Sequence, residues 1–210
     1  MKNLYLRIRK NIILNRGVIN LRYLIGLGFI PSGLVKVMNQ PFTNPENTGV
    51  FAEFLHALHA TGFYYNTVGL SQMLAAVLLM TQRFATLGAL LFLPIIFNIM
   101  VLTLSTIGSL TPIIASLMFL GTLFLLLWDL PKWINVFRKD QESFSTNWAS
   151  DFPTYNQIDL FTGLALLCVP AVLTLIDLKE LILISIPLIL LMGNILSHLH
   201  YPLLKKRTEV

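Results

Sequence analysis

The stretch Ala85–Thr106, ATLGALLFLPIIFNIMVLTLST, decides the fold class of this chain. It contains no charged residue, and most of its side chains are aliphatic or aromatic. A helix needs about 20 apolar residues to cross a hydrocarbon core of about 30 Å, and this stretch meets that length. Because backbone polar groups inside a bilayer must be satisfied within the segment, an open strand is excluded. The stretch therefore predicts a transmembrane helix.

Similar apolar stretches lie on both sides of this helix. They predict six spans in total, at residues 17–37, 63–80, 85–106, 111–128, 158–176 and 181–198. The composition agrees, because 55% of the 210 residues are hydrophobic and only 12% are charged. A soluble domain carries about 25% charged residues, so this chain lacks the polar side chains to cover itself in water. We expect an all-α, polytopic integral membrane helix bundle.

Three residues inside the predicted spans need an explanation. Arg22 and Lys36 each lie near one end of the first span, where a long side chain can extend to the headgroups at modest cost. Cys168 is the single cysteine, which excludes an internal disulfide. It is predicted to be a small buried apolar side chain.

Basic residues gather on one side of the six-span arrangement. On that side lie Lys2, Arg7, Arg9, Lys10, Arg16, Arg83, Lys132, Arg138, Lys139, Lys205, Lys206 and Arg207. The other side carries only Lys36 and Lys179. By the positive-inside rule the first side is cytoplasmic, which places both ends of the chain in the cytoplasm. The net charge of +5 is thus a topology signal, and no nucleic-acid partner is expected.

The basic beginning of the chain is not predicted to be a removable signal peptide. Its apolar stretch is too short, and no small-residue cleavage site follows it.

The connection at residues 39–62 is long enough to hold a helix on the outer side. Within it, Asn44–Glu46 (NPE) is typical of a helix start and Gly62 of a helix stop. The apolar face of this predicted amphipathic helix consists of Phe51, Phe54, Leu55 and Leu58. Such a helix lies on the membrane surface or folds back onto the bundle.

The chain is predicted to have three parts. Residues 1–130 hold the first four spans and the outer helix, and residues 158–210 hold a transmembrane hairpin with a basic tail. Between them, residues 131–157 are predicted to form a cytoplasmic interfacial loop. Its aromatic anchors are Trp133, Trp148 and Tyr155.

Polar amides inside the spans are the first candidates for a functional role. Gln72, Asn98 and Asn194 lie within the second, third and sixth spans. A polar group in lipid is costly, so each requires a partner or a function. The simpler alternative is that each amide bridges neighbouring helices.

Histidines form the second group of candidates. His56 and His59 are neighbours on the outer helix, and Glu53 lies one turn before His56. Histidine changes its protonation near neutral pH, so this group can handle protons beside a redox cofactor, or it can be a hydrated surface face. His198 and His200 lie at the opposite side of the membrane, which argues against one iron shared with His56 and His59.

Several functional classes receive no support from motifs. The chain has no phosphate-binding glycine loop, no HExxH motif and no nucleophile elbow, and no metal site is predicted. No Asp or Glu lies at the centre of a predicted span, which disfavours a proton-coupled transporter.

Two segments resemble the DoxX-like family of small bacterial membrane proteins. One is LRYLIGLGFIPSGLVKVM at residues 21–38, and the other is GLSQMLAAVLLMTQRFATLGALLFLPIIF at residues 69–97. Gln72 stands where the family usually has an acidic residue. The family includes the small membrane subunit of thiosulfate:quinone oxidoreductase and partners in oxidative-stress complexes. The resemblance covers about half of the chain and implies a four-helix bundle in the bacterial inner membrane.

The resemblance also implies a function. On that basis Lys36, Gln72 and Asn98 would bind a quinone carbonyl in an outer pocket, beneath the helix that carries His56 and His59. We expect a membrane subunit of a redox or respiratory assembly, with other membrane proteins and the lipid bilayer as partners. The alternatives are a structural or assembly subunit without a cofactor and a small-molecule permease, which the lack of repeats disfavours.

Overall fold

A computed structural model of the chain describes residues 11–106, 110–130, 157–175 and 180–208. These described residues form seven α-helices and no β-strand. In chain order, the helices are α1 (Ile12–Val37), α2 (Val50–Ala60), α3 (Phe63–Met80), α4 (Ala85–Thr106), α5 (Thr111–Trp128), α6 (Gln157–Leu175) and α7 (Glu180–Thr208).

Four of the described helices are long and apolar enough to cross a membrane: α1, α3, α4 and α5. This agrees with the predicted helical membrane fold. The bounds of α3, α4 and α5 equal those of the predicted spans, whereas α1 begins five residues earlier than Gly17. The remaining two predicted spans correspond to α6 and α7, whose apolar segments Gln157–Pro170 and Ile184–Leu199 are shorter. The count of six spans stays a prediction.

Large apolar side chains lie on the outer surface of all the long helices. Phe63 is 86% exposed, and Leu24, Leu117 and Leu199 are also exposed. In water this surface would be unstable, but lipid solvates it. Cys168 is likewise exposed on α6, so the prediction that it is buried was wrong.

The chain divides into two compact units, and each has its own packing. The larger unit contains the described residues among 24–79 and 84–138. In it, α4 packs against both α5 and α2. Phe29 and Phe92 pack edge to face at 4.5 Å between ring centroids. Gly88 allows a close backbone approach, because a Cβ there would lie 2.5 Å from the Leu79 nitrogen.

The smaller unit contains the described residues among 1–23, 80–83 and 139–210. Here α6 packs against α7, and Gly193 makes room for the Thr162 side chain. Gly163 lies against the backbone at Met80, where a Cβ would be 2.7 Å from the carbonyl oxygen. The packing is therefore based on small residues, as is usual for helices in lipid.

Polar side chains also hold the smaller unit together. Arg22 is buried and donates to Gln82 Oε1 at 2.9 Å. The prediction that Arg22 extends to the headgroups was therefore wrong, because an acceptor within the protein satisfies it. Gln82 adopts φ 60°, a left-handed conformation in the turn between α3 and α4. The Tyr23 hydroxyl donates to the backbone carbonyl of Asp159.

The segment before α2 differs from the prediction. Residues 44–46 form a turn instead of a helix start, because the Asn44 side chain accepts from the Glu46 N–H at 3.2 Å. The helix begins at Val50, after Gly49 with φ 108°. It ends at Ala60, and Gly62 with φ 56° provides the predicted stop.

Only part of the predicted apolar face of α2 is buried. Ala52 and Leu55 are buried, whereas Phe54 is 42% exposed. The predicted loop at 131–157, with Trp133, Trp148 and Tyr155, lies outside the described residues apart from Gln157, which begins α6.

Candidate functional site

The candidate site lies where α1 and α3 approach each other most closely. Two glycines make this approach possible. A Cβ on Gly69 would lie 2.5 Å from Lys36 Cβ and 2.7 Å from the Gly33 carbonyl oxygen. A Cβ on Gly33 would in turn lie 2.6 Å from Met73 Cγ. The helix backbones are thus nearly in contact, and Lys36 is held directly against α3.

Lys36 is buried at this crossing, with only 5% of its surface exposed. Its Nζ donates to the Ser32 hydroxyl at 2.9 Å and to the Ser32 carbonyl at 3.0 Å. It also lies 4.2 Å from the centroid of the Phe42 ring, a cation–π contact. The predicted extension of Lys36 to the headgroups was therefore wrong. Among the described residues, no carboxylate forms an ion pair with this ammonium group.

The α3 side of the crossing contributes Gln72, one turn after Gly69. Gln72 is 2% exposed, and its Oε1 has no hydrogen-bond partner among the described residues. Asn66 lies one turn before Gly69, and its Oδ1 also lacks a partner there. A buried acceptor without a donor costs about 1–3 kcal/mol, so each is a place for an incoming donor. We call Ser32, Lys36, Phe42 and Gln72 the Lys36 site.

The two histidines of α2 hold the chain segment that follows α1. His59 Nε2 lies 3.1 Å from the Asn39 carbonyl oxygen, and His56 Nε2 lies 3.3 Å from the Asn44 carbonyl oxygen. A carbonyl only accepts, so each ring donates its Nε2 proton. The histidines thus fix the 39–44 segment, which carries Phe42. That they bind a cofactor stays a prediction.

Tyr65 supports the same segment from α3. Its hydroxyl donates to the Gln40 carbonyl at 2.8 Å, and its ring packs edge to face against His59 at 5.1 Å. Three hydrogen bonds from Tyr65, His56 and His59 therefore position the short connection beside Lys36.

Asn98 forms no observed contact with the Lys36 site among the described residues. Its side chain is exposed on the surface of α4. Its predicted contribution to a pocket shared with Lys36 and Gln72 stays a prediction.

A pair of asparagines, Asn20 and Asn194, confirms the bridging role predicted for Asn194. Asn20 Nδ2 donates to Asn194 Oδ1 at 3.3 Å, and Asn194 Nδ2 donates to Asn20 Oδ1 at 3.0 Å. The two amides satisfy each other reciprocally and join α1 to α7 within the smaller unit. His198 is exposed on α7, and the His200 side chain lies outside the described part of the chain.

An open groove lies beside the segment that precedes α2. It has a volume of about 600 Å³ and is lined by residues 43 and 46–52 together with Thr106 and Thr111. Within the described ranges, no group of three or more His, Cys, Asp or Glu residues is placed to hold a metal ion.

Sequence reasoning identified Lys36 and Gln72 but missed Phe42 and Ser32. Ser32 lies one helical turn before Lys36, a spacing that would have signalled the contact. The contact with Phe42 depends on the turn after α1, where Asn39 adopts φ 53° and Pro41 follows. These residues signal the end of the helix but not which side chain the turn brings to Lys36. No family model, no curated protein and no solved structure matches this chain.

Proposed function

We propose that this chain is a membrane subunit of a redox or respiratory assembly and that it contacts a quinone headgroup through the Lys36 site. The proposal places it in the bacterial inner membrane, with six spans and both ends in the cytoplasm, as the basic residues indicate. It performs little chemistry alone and depends on partner subunits for electron transfer.

The burial of Lys36 carries this proposal. A cation enclosed in an apolar environment without a carboxylate is costly, and a fold retains such a group where it serves a ligand. A quinone carbonyl is an acceptor that an ammonium group can bind while its apolar ring stays in a dry environment. The resemblance of residues 21–38 to the DoxX-like family points to the same cofactor.

The other residues of the site suit the two redox forms of a quinone. The Phe42 ring offers a flat apolar surface for stacking. Gln72 Oε1, which lacks a donor, suits the hydroxyl group of the reduced quinol. His56 and His59 support the site by holding the segment that carries Phe42.

The test is the quinone content of protein purified in a mild detergent, with co-eluting proteins identified by mass spectrometry. Lys36→Met should lose bound quinone while it stays folded, and Gln72→Leu should lose the preference for quinol. Leu34→Met is the matched control, because it introduces the same side chain on an exposed position of α1. Equal quinone content in Lys36→Met and wild type would contradict the proposal.

A second candidate function is that of a structural or assembly subunit without a cofactor. The exposed apolar surface of the long helices favours it, since partner helices can cover such a surface as well as lipid can. In this case deletion of the chain should lower the abundance of a specific partner, and Lys36→Met should have no effect on that partner. A permease would instead move substrate when reconstituted alone.

A further inference from the structure

The exposed face of α4 carries a regular stripe of residues. The stripe follows the alternating spacing of three and four residues that brings side chains to one seam between two helices. It consists of Leu87, Leu91, Pro94, Asn98, Val101 and Ser105, all of which are exposed. Asn98 lies within this stripe, flanked by apolar side chains.

Asn98 is an exposed polar side chain near the middle of an apolar helix. In a helix of 22 residues it lies about 4 Å from the midpoint, at 1.5 Å per residue. Its amide forms no hydrogen bond with any described residue. Facing lipid, such an amide would leave its donors and acceptor unsatisfied.

The exposed hydroxyl groups of α3 and α4 find hydrogen-bond partners within their own helices. Thr67, Ser71 and Ser105 each donate to the carbonyl four residues earlier, at 2.7–2.9 Å. These side chains are therefore satisfied within their own helix and can face lipid at little cost. Asn98 forms no such bond. Even an asparagine that donates to the carbonyl four residues earlier, as Asn194 does, leaves its Oδ1 without a donor in its own helix, so the Asn98 amide needs a partner from outside the helix.

The chain itself shows how it satisfies an asparagine within a helix. Asn20 and Asn194 form a reciprocal pair in which each amide both donates and accepts. An asparagine amide is thus complementary to a second asparagine amide. Two copies in one membrane share the same orientation, so a twofold axis along the membrane normal places their Asn98 residues at the same depth.

We propose that the chain forms a parallel homodimer through α4, with Asn98 of each copy paired to Asn98 of the other. Leu91 and Val101 pack on either side of the amide pair. The pair fixes the register of the two helices, as a single polar residue does in an otherwise apolar seam. This dimer is independent of the quinone proposal.

Fluorescence resonance energy transfer between donor-labelled and acceptor-labelled full-length protein in liposomes measures the affinity of the dimer directly. Asn98→Leu should weaken dimerisation by roughly tenfold, as expected for one interhelical amide pair in lipid. Asn98→Gln should recover much of the affinity, because it keeps the amide. A monomeric wild type, or equal affinity of wild type and Asn98→Leu, would overturn the proposal.

Oxidative cross-linking tests which residues of α4 face each other in the dimer, and it does so independently of the dimer affinity. In a Cys168→Ser background, Leu91→Cys and Val101→Cys should form intermolecular disulfides, because seam residues of paired helices come within bonding distance. Leu104→Cys is the control, since Leu104 is exposed on α4 but lies off the stripe. Cross-linking of all three at the same rate, or of a different protein at this face instead of a second copy, would overturn the proposal.

Discussion

The Arg16 guanidinium lies 2.6 Å from the Asp159 carboxylate, which ties the first turns of α1 to the first turns of α6. The Asp159 side chain is 4% exposed and that of Arg16 is 18% exposed. One partner therefore keeps some access to solvent while the other is enclosed. The Tyr23 hydroxyl binds the backbone carbonyl of the same aspartate, so two contacts converge on one residue.

Asp159→Asn should destabilise the protein by about 2 kcal/mol, because it removes the charge that compensates Arg16. A double-mutant cycle with Arg16→Gln in a denaturant titration measures the coupling. We expect a coupling energy above about 0.5 kcal/mol. Additive effects of the two substitutions would show that the contact contributes nothing to stability.

Gly69→Ala should destabilise the protein by about 1–3 kcal/mol, because the new Cβ would overlap Lys36 and the Gly33 carbonyl. Gly17→Ala is the matched control, since no atom lies within 4 Å of a Cβ there. The control should be neutral or more stable, because alanine favours a helix over glycine by about 1 kcal/mol. Thermal unfolding in detergent distinguishes the two. Equal effects of Gly69→Ala and Gly17→Ala on the thermal midpoint would mean that α1 and α3 do not approach closely at Gly69.

Lys36→Met should raise the thermal midpoint of quinone-free protein by about 3 °C, because an apolar side chain replaces a buried cation that lacks a carboxylate. An added quinone analogue should raise the midpoint of wild type and leave that of the variant unchanged. A lower midpoint for the variant would instead make the bonds of Lys36 to Ser32 a structural requirement.

Cysteine labelling of intact cells tests the predicted topology. In a Cys168→Ser background, Glu46→Cys should react with a membrane-impermeant maleimide, because the 39–62 connection is predicted to lie outside. Gln157→Cys should react only after the cells are opened. Both positions are exposed, so access within the protein does not limit either reaction. The reverse pattern would invert the topology.

Span boundaries were predictable because charged and turn-forming residues interrupt the apolar stretches. The bounds of α3, α4 and α5 follow from these interruptions alone. The inward faces were not predictable, since a helix that is apolar all round carries no pattern that separates protein contact from lipid contact. For this reason the sequence does not show that Asn98 is exposed on the surface of α4, as the structure has it.

The burial of the two basic side chains within α1 was also not predicted from the sequence. Sequence position alone suggests that Arg22 and Lys36 reach the headgroups. The structure instead provides acceptors within the protein. Gln82 accepts from Arg22 across 60 residues of sequence, and Ser32 accepts from Lys36 one turn earlier in the same helix. The pairing of Arg22 with Gln82 has no periodic signal in the sequence, whereas Ser32 and Lys36 have the spacing of neighbours on one helix face.

The turn at residues 81–84 has a consequence for biogenesis. It is so short that α3 and α4 are expected to leave the translocon as one antiparallel hairpin, with neither helix inserted alone. In the predicted topology Arg83 at the tip would anchor both helices, because the positive-inside rule keeps it on the cytoplasmic side and so fixes the direction of the pair. A substitution that weakened this anchor would therefore misdirect two spans at once.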